Sequence, residues 1–309
     1  CWRMTAGAVR PILADAACRL EAAGVPSPRV DAELLLSHVC GMQRNQLALL
    51  DELSAEQQQE FESLVLRRCA HEPLQHLTSQ AHFRHLTLQV GPGVFIPRPE
   101  TETLVQLAID ELAVLRSTTE RRLRVVDLCT GSAAIPLAIA SEAGGIDTLG
   151  IELSPQAFEW AKRNVQATMP KVRAVDSTVG LRLADATTAA DQLSDLLGLV
   201  DVVTCNPPYI PDGAIPRDPE VRDHDPAIAL FGGADGLDVV RDVVVQSARL
   251  LRHGGLLLIE HGDEQGIAGN ERGVPAVIFQ AQGFEVPIDH VDLAGRPRVT
   301  TTRRLSIET

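Results

Sequence analysis

The segment from residue 123 onward alternates short apolar runs with stretches of helical periodicity, and this alternation restricts the fold more than any other feature of the chain. Seven apolar runs predict strands over residues 123–128, 146–152, 179–184, 199–205, 255–260, 284–291 and 298–306. Helical patterns separate most of these runs, and Ser154 followed by Pro155 predicts the start of one helix, which runs to about residue 168. Apolar strands that alternate with helices form a mostly parallel sheet covered on both faces, so an α/β fold is predicted.

The N-terminal part has a different pattern. Apolar residues recur there with the helical period, Gly24 ends a first helix, and residues 31–40 carry a second apolar face. Ser54 followed three positions later by Gln57 is typical of a capping box at the start of a further helix. Residues 1–78 are therefore predicted to form a small helical domain that binds or positions a substrate.

A connector with strand-like alternation follows at residues 79–97. Apolar residues recur with a period close to two between positions 83 and 90, and the glycine–proline–glycine sequence at 91–93 predicts the turn of a hairpin. Thr101 is predicted to cap a helix that runs to about residue 115. Residues 98–309 are assigned to the α/β domain.

Composition and charge narrow the function classes. The 309-residue chain has a formal net charge of −13, and aromatic residues make up only 3% of it. Nucleic-acid binding without sequence preference depends on phosphate neutralisation and base stacking, so it is not favoured. The six cysteines lack CxxC spacing, which predicts neither a metal site nor a disulfide framework and favours a cytoplasmic location. No apolar run reaches the ~18 residues of a membrane span.

Residues 125–134, with the sequence VVDLCTGSAA, connect the first sheet strand to its helix. Backbone N–H groups at such a turn bind polar ligands, and the acidic Asp127 suits a cationic one. The P-loop pattern is absent, and so are two glycines of the GxGxxG pattern. A ligand-binding loop and a plain strand–helix turn are both compatible with this motif taken alone.

Acidic residues end the next two predicted strands. Glu152 lies 21 residues beyond Gly131, at a position where a carboxylate accepts hydrogen bonds from both hydroxyls of a ribose. Asp185 follows the third strand and could accept a hydrogen bond from an adenine amino group. Taken alone, Asp185 is better explained as an acid that caps the following turn.

The tetrapeptide Asn206-Pro207-Pro208-Tyr209 directly follows the fourth apolar strand. Two consecutive prolines stiffen the turn and remove two N–H donors, which leaves the Pro207 carbonyl as a fixed acceptor. The Asn206 side chain supplies a second acceptor, and Tyr209, the sole tyrosine of the chain, supplies a flat ring. Two acceptors and a ring suit a planar group that carries an NH2, either an amide or the exocyclic amine of a base.

Together, these motifs resemble the amino-group branch of the S-adenosylmethionine-dependent methyltransferases and, more specifically, the release factor glutamine methyltransferases. The resemblance extends over nearly the whole chain, through the blocks 72–77 (EPLQHL), 95–102 (FIPRPETE), 230–236 (LFGGADG), 260–262 (EHG) and 296–299 (RPRV). It implies a seven-stranded Rossmann-like sheet, mostly parallel with an antiparallel last strand. A small helical domain and a β-hairpin connector precede this sheet in the sequence.

The resemblance also implies the chemistry, which is methyl transfer from S-adenosyl-L-methionine to the N5 amide nitrogen of the glutamine in the GGQ loop of peptide-chain release factors. The implied catalytic residues are Asn206, Pro207 and Tyr209. The implied cofactor-binding residues are Asp127, Cys129, Thr130, Gly131, Ser132, Ala133, Glu152, Asp185, Ala186 and Asn206. The implied substrate-binding residues are Phe95, Arg98, Glu100, Asn206, Pro207, Pro208 and Tyr209. No metal is implied.

The sequence departs from the family pattern at a few positions. The cofactor loop of the family usually has glycine at the positions of Cys129 and Ala133, and both residues resist positive φ. An aromatic residue often follows the acid that corresponds to Asp185, where this chain has Ala186. Two alternatives stay open at this point, namely an N-methyltransferase that acts on an exocyclic amine of adenine or guanine in DNA or RNA, and a cofactor-binding module without activity.

Overall fold

The computed structural model describes residues 7–266 and 276–306. These residues separate into two compact units. The first unit contains the described residues up to Gln80 together with Pro216–His224. The second contains Ala81–Ile215 and the described residues from Asp225 onward. Each unit has its own hydrophobic core.

The first unit is helical, as predicted. Its N-terminal elements are β1 (Gly7–Ala8), α1 (Val9–Ala22), α2 (Pro28–Cys40), β2 (Glu52–Leu53), α3 (Ala55–Cys69) and α4 (Leu74–Thr78). The capping box before α3 is confirmed, because the Ser54 hydroxyl accepts from the Gln57 backbone N–H at 3.2 Å and Gln57 Oε1 accepts from the Ser54 N–H at 3.0 Å.

A buried arginine explains why the later segment 216–224 belongs to the helical unit. The Arg68 side chain is almost fully buried and donates to Asp31 Oδ2 at 2.8 Å and to Glu220 Oε1 at 2.5 Å. A buried guanidinium is stable only when carboxylates compensate its charge. Glu220 supplies the second carboxylate from 152 positions along the chain.

The remaining elements follow in chain order. They are β3 (Gln80–Phe83), β4 (Leu86–Gln89), α5 (Thr101–Thr118), β5 (Leu123–Leu128), α6 (Ala134–Ala143), β6 (Ile146–Glu152), α7 (Pro155–Ala174), β7 (Thr178–Leu183), α8 (Ala189–Gln192), β8 (Val200–Cys205), α9 (Pro219–His224, in the helical unit), α10 (Asp238–Leu250), β9 (Leu251–Glu260), α11 (Ala276–Gln280), β10 (Ile288–Val291) and β11 (Pro297–Arg303).

The main sheet has seven strands in the order β10-β11-β9-β8-β5-β6-β7. Strands β5 to β9 run parallel, whereas β11 pairs antiparallel with β9 and with β10. The predicted α/β class, with a mostly parallel sheet and an antiparallel last strand, is confirmed. Apolar side chains form a core cluster on each of two sides of this sheet. In the described ranges, no helix combines the length and the apolar character that a membrane span requires.

The turn predicted at 91–93 is present, since the Val94 N–H donates to the Gly91 carbonyl at 3.4 Å, but the hairpin itself turns earlier in the chain. Strands β3 and β4 are joined by Arg84 and His85, and Arg84 adopts a left-handed φ of 50°. The segment 91–93 lies beyond β4 and accommodates the Trp160 ring instead. A Cβ at Gly91 would lie 2.5 Å from Trp160 Cζ2, and the Trp160 indole N–H donates to the Pro92 carbonyl at 3.2 Å. Gly91 is therefore needed for close packing rather than for the hairpin turn.

Two predicted helix boundaries, the start of α5 and the end of α7, differ from those in the structure. Thr101 is the first residue of α5 and Glu100 occupies the cap position, so the prediction of Thr101 as the cap is wrong. The cap of α7 is confirmed, because Ser154 Oγ accepts from the Ala157 backbone N–H at 3.3 Å. This helix continues beyond its predicted end near residue 168 and includes Pro170.

The predicted strand over residues 284–291 is shorter in the structure. Only Ile288–Val291 forms β10, while Phe284 makes an isolated bridge with Arg304. Pro287 lies between them and has no N–H to donate to a ladder, which accounts for the interruption.

Asn164 of α7 connects this helix to two segments of the sheet unit. Its side chain is buried and exchanges two hydrogen bonds with the Gln89 backbone, accepting from the N–H at 2.7 Å and donating to the carbonyl at 2.9 Å. It also donates to the Ser132 carbonyl at 3.0 Å. Asn164 thereby pairs the backbone N–H and carbonyl of the last residue of β4 and holds the loop after β5 in place.

We expect Asn164→Ala to lower the free energy of unfolding of the sheet unit by about 3 kcal/mol, because three buried backbone groups lose their partner. Gln166→Ala removes an exposed amide from the same helix and should change stability by less than about 0.5 kcal/mol. Urea denaturation of both variants measures the difference. Equal stability of the two variants would contradict this role of Asn164.

Candidate active site

The carboxyl ends of four parallel strands lie along one edge of the sheet. Leu128 at the end of β5 is in register with Ile151 of β6 and with Cys205 of β8, and Glu152 is in register with Leu183 of β7. Ligands of open α/β sheets bind at this edge. The polar residues predicted from the sequence lie at the ends of these four strands or just beyond them.

Asp127 is fully buried and holds two neighbouring strand ends together. Its Oδ2 accepts from the Thr130 hydroxyl at 2.5 Å and its Oδ1 accepts from the Thr204 hydroxyl at 2.7 Å. Burial raises the pKa of Asp127 to about 7, against the opposing effect of these two hydrogen bonds. Because protein donors engage both oxygens, Asp127 acts on the shape of the loop after β5.

That loop contains three residues in the left-handed region. Cys129 has a φ of 61°, Gly131 of 56° and Ala133 of 66°. This conformation costs roughly 1–2 kcal/mol for a residue with a Cβ. The loop therefore has a backbone conformation typical of glycine, although two of the three residues carry a side chain. A Cβ at Gly131 would meet no atom within 4 Å, which shows that the loop borders open space there.

Glu152 links the same loop to the start of α7. Its Oε2 accepts from the Gly131 N–H at 2.7 Å and its Oε1 accepts from the Ser154 N–H at 2.7 Å. Burial raises the pKa of this carboxyl, and the backbone hydrogen bonds oppose that shift. A carboxylate has about four lone-pair sites, so Glu152 keeps capacity for a further donor such as a hydroxyl group.

Asp185 follows β7 and caps the single turn formed by Ala186–Thr188. Its Oδ1 accepts from the backbone N–H of Thr187 at 2.8 Å and from the Thr187 hydroxyl at 2.7 Å. Ala186 is buried. The structure therefore gives Asp185 the capping contact that its sequence position suggested, at the same sheet edge as Glu152.

The side-chain amide of Asn206 has a defined orientation. Its Nδ2 donates to the Thr101 hydroxyl oxygen at 3.4 Å, which points Oδ1 away from α5. Pro207 is buried directly after it. Burial raises the pKa of Tyr209 to about 12, so the phenol is neutral near neutral pH. The backbone carbonyl of Tyr209 accepts from Gln265 Nε2 at 3.1 Å.

Two glycines of the 230–236 block allow the backbone of the tetrapeptide to approach closely. A Cβ at Gly232 would collide with the Pro208 carbonyl oxygen, and a Cβ at Gly236 would collide with the Tyr209 carbonyl oxygen. The two segments are also joined by the Ile210 N–H, which donates to the Leu230 carbonyl at 2.8 Å. The block therefore supports the conformation of the tetrapeptide.

Phe95, Arg98 and Glu100 lie in the segment before α5. The Arg98 guanidinium carbon is 5.2 Å from the Phe95 ring centroid, and Arg98 donates to Asp225 Oδ2 at 2.7 Å. Glu100 Oε1 accepts from Arg296 at 2.8 Å. Burial raises the pKa of Tyr209, and among the smaller effects the charge of Glu100 raises this pKa further while that of Arg98 lowers it.

Sequence reasoning did not identify Thr101 and Glu260 as part of this group. Thr101 Oγ1 accepts from Asn206 Nδ2 at 3.4 Å, and burial raises the pKa of Glu260 to about 7. Glu260 ends β9 and is 2% exposed. The EHG block at 260–262 was noted only as a match to the family, and a buried acid at a strand end was the signal that could have identified it.

The arrangement places hydrogen-bond acceptors and a ring at one sheet edge, beside a loop that borders open space. The acceptors are Asn206 Oδ1 and the Pro207 carbonyl, and the ring is that of Tyr209. Such a set can hold a planar NH2 group. The buried acids Asp127 and Glu152, together with the loop after β5, fit a polar and cationic cofactor at the adjacent strand ends.

Comparisons with known proteins identify relatives over nearly the whole chain. A family model described as the PrmC N-terminal domain matches residues 12–78. The release factor glutamine methyltransferase of Streptomyces coelicolor is 45% identical over 293 residues, which cover 94% of this chain and 96% of that protein. The enzyme of the same name from Mycolicibacterium smegmatis is 44% identical over 298 residues, with coverages of 96% and 98%.

One solved structure supports the fold alone. The catalytic domain of hMettl16, in complex with MAT2A 3'UTR hairpin 6, has a TM-score of 0.50 at 16% identity, with 72% of this chain and 77% of that chain covered. The identity over nearly the full length of the two bacterial enzymes establishes the relationship. The chain belongs to the release factor glutamine methyltransferase family.

Proposed function

We propose that the chain transfers a methyl group from S-adenosyl-L-methionine to the side-chain amide nitrogen of the glutamine in the GGQ motif of peptide-chain release factors. The names of the relatives support this substrate. The observation that carries the proposal is the orientation of Asn206, whose amide donates to Thr101 and leaves Oδ1 as an acceptor.

A glutamine amide is a poor nucleophile, because its nitrogen lone pair is delocalised into the carbonyl. We propose that Asn206 Oδ1 and the Pro207 carbonyl each accept one N–H of this amide, while Tyr209 packs against its plane. Both N–H bonds of the amide then have fixed directions, so the nitrogen lone pair has a single orientation. Such positioning alone can supply a large part of a rate enhancement.

The cofactor would be held at the ends of β5, β6 and β7. The loop residues Cys129, Thr130, Gly131, Ser132 and Ala133 would face it, with Glu152 accepting from the ribose hydroxyls and Asp185 and Ala186 beside the base. When bound, the cofactor supplies an electrophilic methyl group on a sulfonium. The buried negative charges of Asp127 and Glu152 favour a cationic group at this edge.

No general base is required among the acceptors. The pKa of Tyr209, raised to about 12 by burial, keeps its phenol protonated at neutral pH. The amide loses its extra proton readily once the nitrogen has been alkylated, because that nitrogen is then strongly acidic. The residues of the site therefore act by orientation and desolvation.

We propose that residues 1–78 bind the substrate. Residues 79–97 form the hairpin connector, and residues 98–309 form the methyltransferase domain. We propose that Phe95, Arg98 and Glu100, which lie in the segment before α5, help to hold the glycine-rich loop. A cytoplasmic location fits an enzyme that acts on release factors.

The alternative substrate, an exocyclic amine of adenine or guanine, gains no support from the relatives. The acceptor geometry serves both kinds of amine, but the bacterial proteins that match nearly the full chain are named for glutamine methylation. The net charge of −13 is also unfavourable for a polyanionic substrate.

Incubation with radiolabelled S-adenosylmethionine should label a bacterial release factor at its GGQ glutamine, because that amide matches the two acceptors. The same factor with Gln→Ala in the GGQ motif is the control and should remain unlabelled. Scintillation counting of the purified factor measures the difference. Equal labelling of the two factors would refute the glutamine assignment.

Asn206→Ala should lower kcat by about 100-fold or more, because one of the two acceptors that fix the amide is lost. Cofactor affinity, measured by calorimetry, should stay within a few-fold of the original value. The exposed Gln166→Ala variant serves as the matched control and should retain full turnover. Near-normal turnover of Asn206→Ala would contradict the acceptor role.

A further inference from the structure

We propose that Gln265 is a positioning residue that holds the backbone of Tyr209 and thereby sets the place of its ring beside the substrate amide. This inference rests on the proposed function, since it concerns how the ring that packs against the glutamine is held. It assigns a role to a buried side chain in the turn after β9, which sequence reasoning did not single out.

The side-chain amide of Gln265 is buried and uses both of its ends. Its Nε2 donates to the Tyr209 carbonyl at 3.1 Å, and its Oε1 accepts from the Gly262 N–H at 3.0 Å. Because an N–H only donates and a carbonyl only accepts, these partners fix which end of the amide faces each of them. One side chain therefore connects the turn after β9 to the tetrapeptide after β8.

The peptide group that follows Tyr209 is held on two sides. Its carbonyl accepts from Gln265, and its N–H, which belongs to Ile210, donates to the Leu230 carbonyl at 2.8 Å. The φ angles of the two prolines before Tyr209 are locked by their rings, so few backbone torsions of the tetrapeptide are left free. Loss of the Gln265 bond would remove one of the two holds on this peptide plane.

Close packing around Tyr209 makes its position sensitive to this contact. A Cβ at Gly236 would collide with the Tyr209 carbonyl oxygen and would lie 3.1 Å from Gln265 Nε2, so both residues confine that oxygen. A Cβ at Gly262 would lie 3.6 Å from Tyr209 Cδ2, which places the backbone of the turn against the ring. Gln265 thus binds the backbone of Tyr209 and also the glycine that lies against its ring.

The turn that carries Gln265 is anchored to the two strands beyond β9 in the sheet. The His261 ring has Nδ1 at 2.9 Å from the Gly262 carbonyl oxygen and Nε2 at 3.0 Å from Asp289 Oδ1 of β10. Arg298 of β11 donates to the His261 carbonyl at 3.1 Å and accepts from the His261 N–H at 3.0 Å. Gln265 therefore extends from an anchored turn and holds Tyr209 in a fixed position relative to the sheet.

A fluorine label reports on this ring alone, because Tyr209 is the sole tyrosine of the chain. The full chain is produced with 3-fluorotyrosine, and fluorine NMR spectra are compared for wild type, Gln265→Leu and the exposed control Gln282→Ala. Gln265→Leu has a similar size and removes both hydrogen bonds. Its resonance should shift and broaden, because the ring then exchanges between positions, whereas the control should match the wild type.

Turnover separates the bond to Tyr209 from the bond to Gly262. Gln265→Glu keeps an acceptor for the Gly262 N–H, but at about pH 8 its ionised carboxylate cannot donate to the Tyr209 carbonyl. With saturating cofactor and release factor, kcat of both Gln265→Leu and Gln265→Glu should fall about tenfold, the worth of one hydrogen bond. Cofactor affinity, measured by calorimetry, should not change.

A double-mutant cycle tests whether the effect passes through the ring. Gln265→Leu is combined with Tyr209→Leu, which lacks the ring. Residues that act together have non-additive effects, so in this background Gln265→Leu should lower kcat by less than about twofold. A loss as large as in the wild-type background would overturn the inference.

An unchanged fluorine spectrum of Gln265→Leu would also overturn the inference, and so would wild-type turnover of Gln265→Glu. Thermal unfolding identifies a Gln265 variant that fails to fold, and the other variant then decides. The fluorine spectrum requires no methyl transfer, so it tests the contact independently of activity. Absence of methyl transfer by the wild type would count against the proposed function itself, so the two failures are distinguishable.

Discussion

The buried carboxylate of Asp127 is the interaction on which the rest of the site depends. It accepts a hydrogen bond from Thr130 in the loop after β5 and another from Thr204 near the end of β8. Hydrogen bonds to a charged group contribute about 1.5–3 kcal/mol each. Since Asn206 lies two residues beyond Thr204, one side chain fixes the proposed cofactor loop and the proposed acceptor in a common frame.

The local elements of the fold could be predicted from the sequence, because their causes are local. The apolar runs predicted four strands to within one residue at each end, and the caps at Ser54 and Ser154 have the expected hydrogen bonds. The sequence also placed Asp127 and Glu152 at the ends of neighbouring strands, and Asp185 and Asn206 just beyond such ends, since parallel strands align their carboxyl ends. Their roles toward cofactor and substrate stay predictions.

The remaining features depend on contacts between distant segments, which periodicity does not reveal. Thr101 was predicted to be a cap, yet its hydroxyl oxygen accepts from Asn206 Nδ2, 105 positions along the chain. The 91–93 segment was predicted to be a hairpin turn, but Gly91 makes room for the ring of Trp160. The left-handed φ of Cys129 and Ala133 runs against their residue type and is held by the surrounding bonds.

The central claim is that an oriented Asn206 oxygen receives the amide nitrogen of the substrate. A crystal structure of the chain with S-adenosylhomocysteine and a GGQ-containing fragment of a release factor tests this claim most directly. We expect Asn206 Oδ1 and the Pro207 carbonyl oxygen each to lie about 2.9 Å from the glutamine amide nitrogen. A glutamine whose carbonyl oxygen, rather than its nitrogen, faces Asn206 would contradict the account.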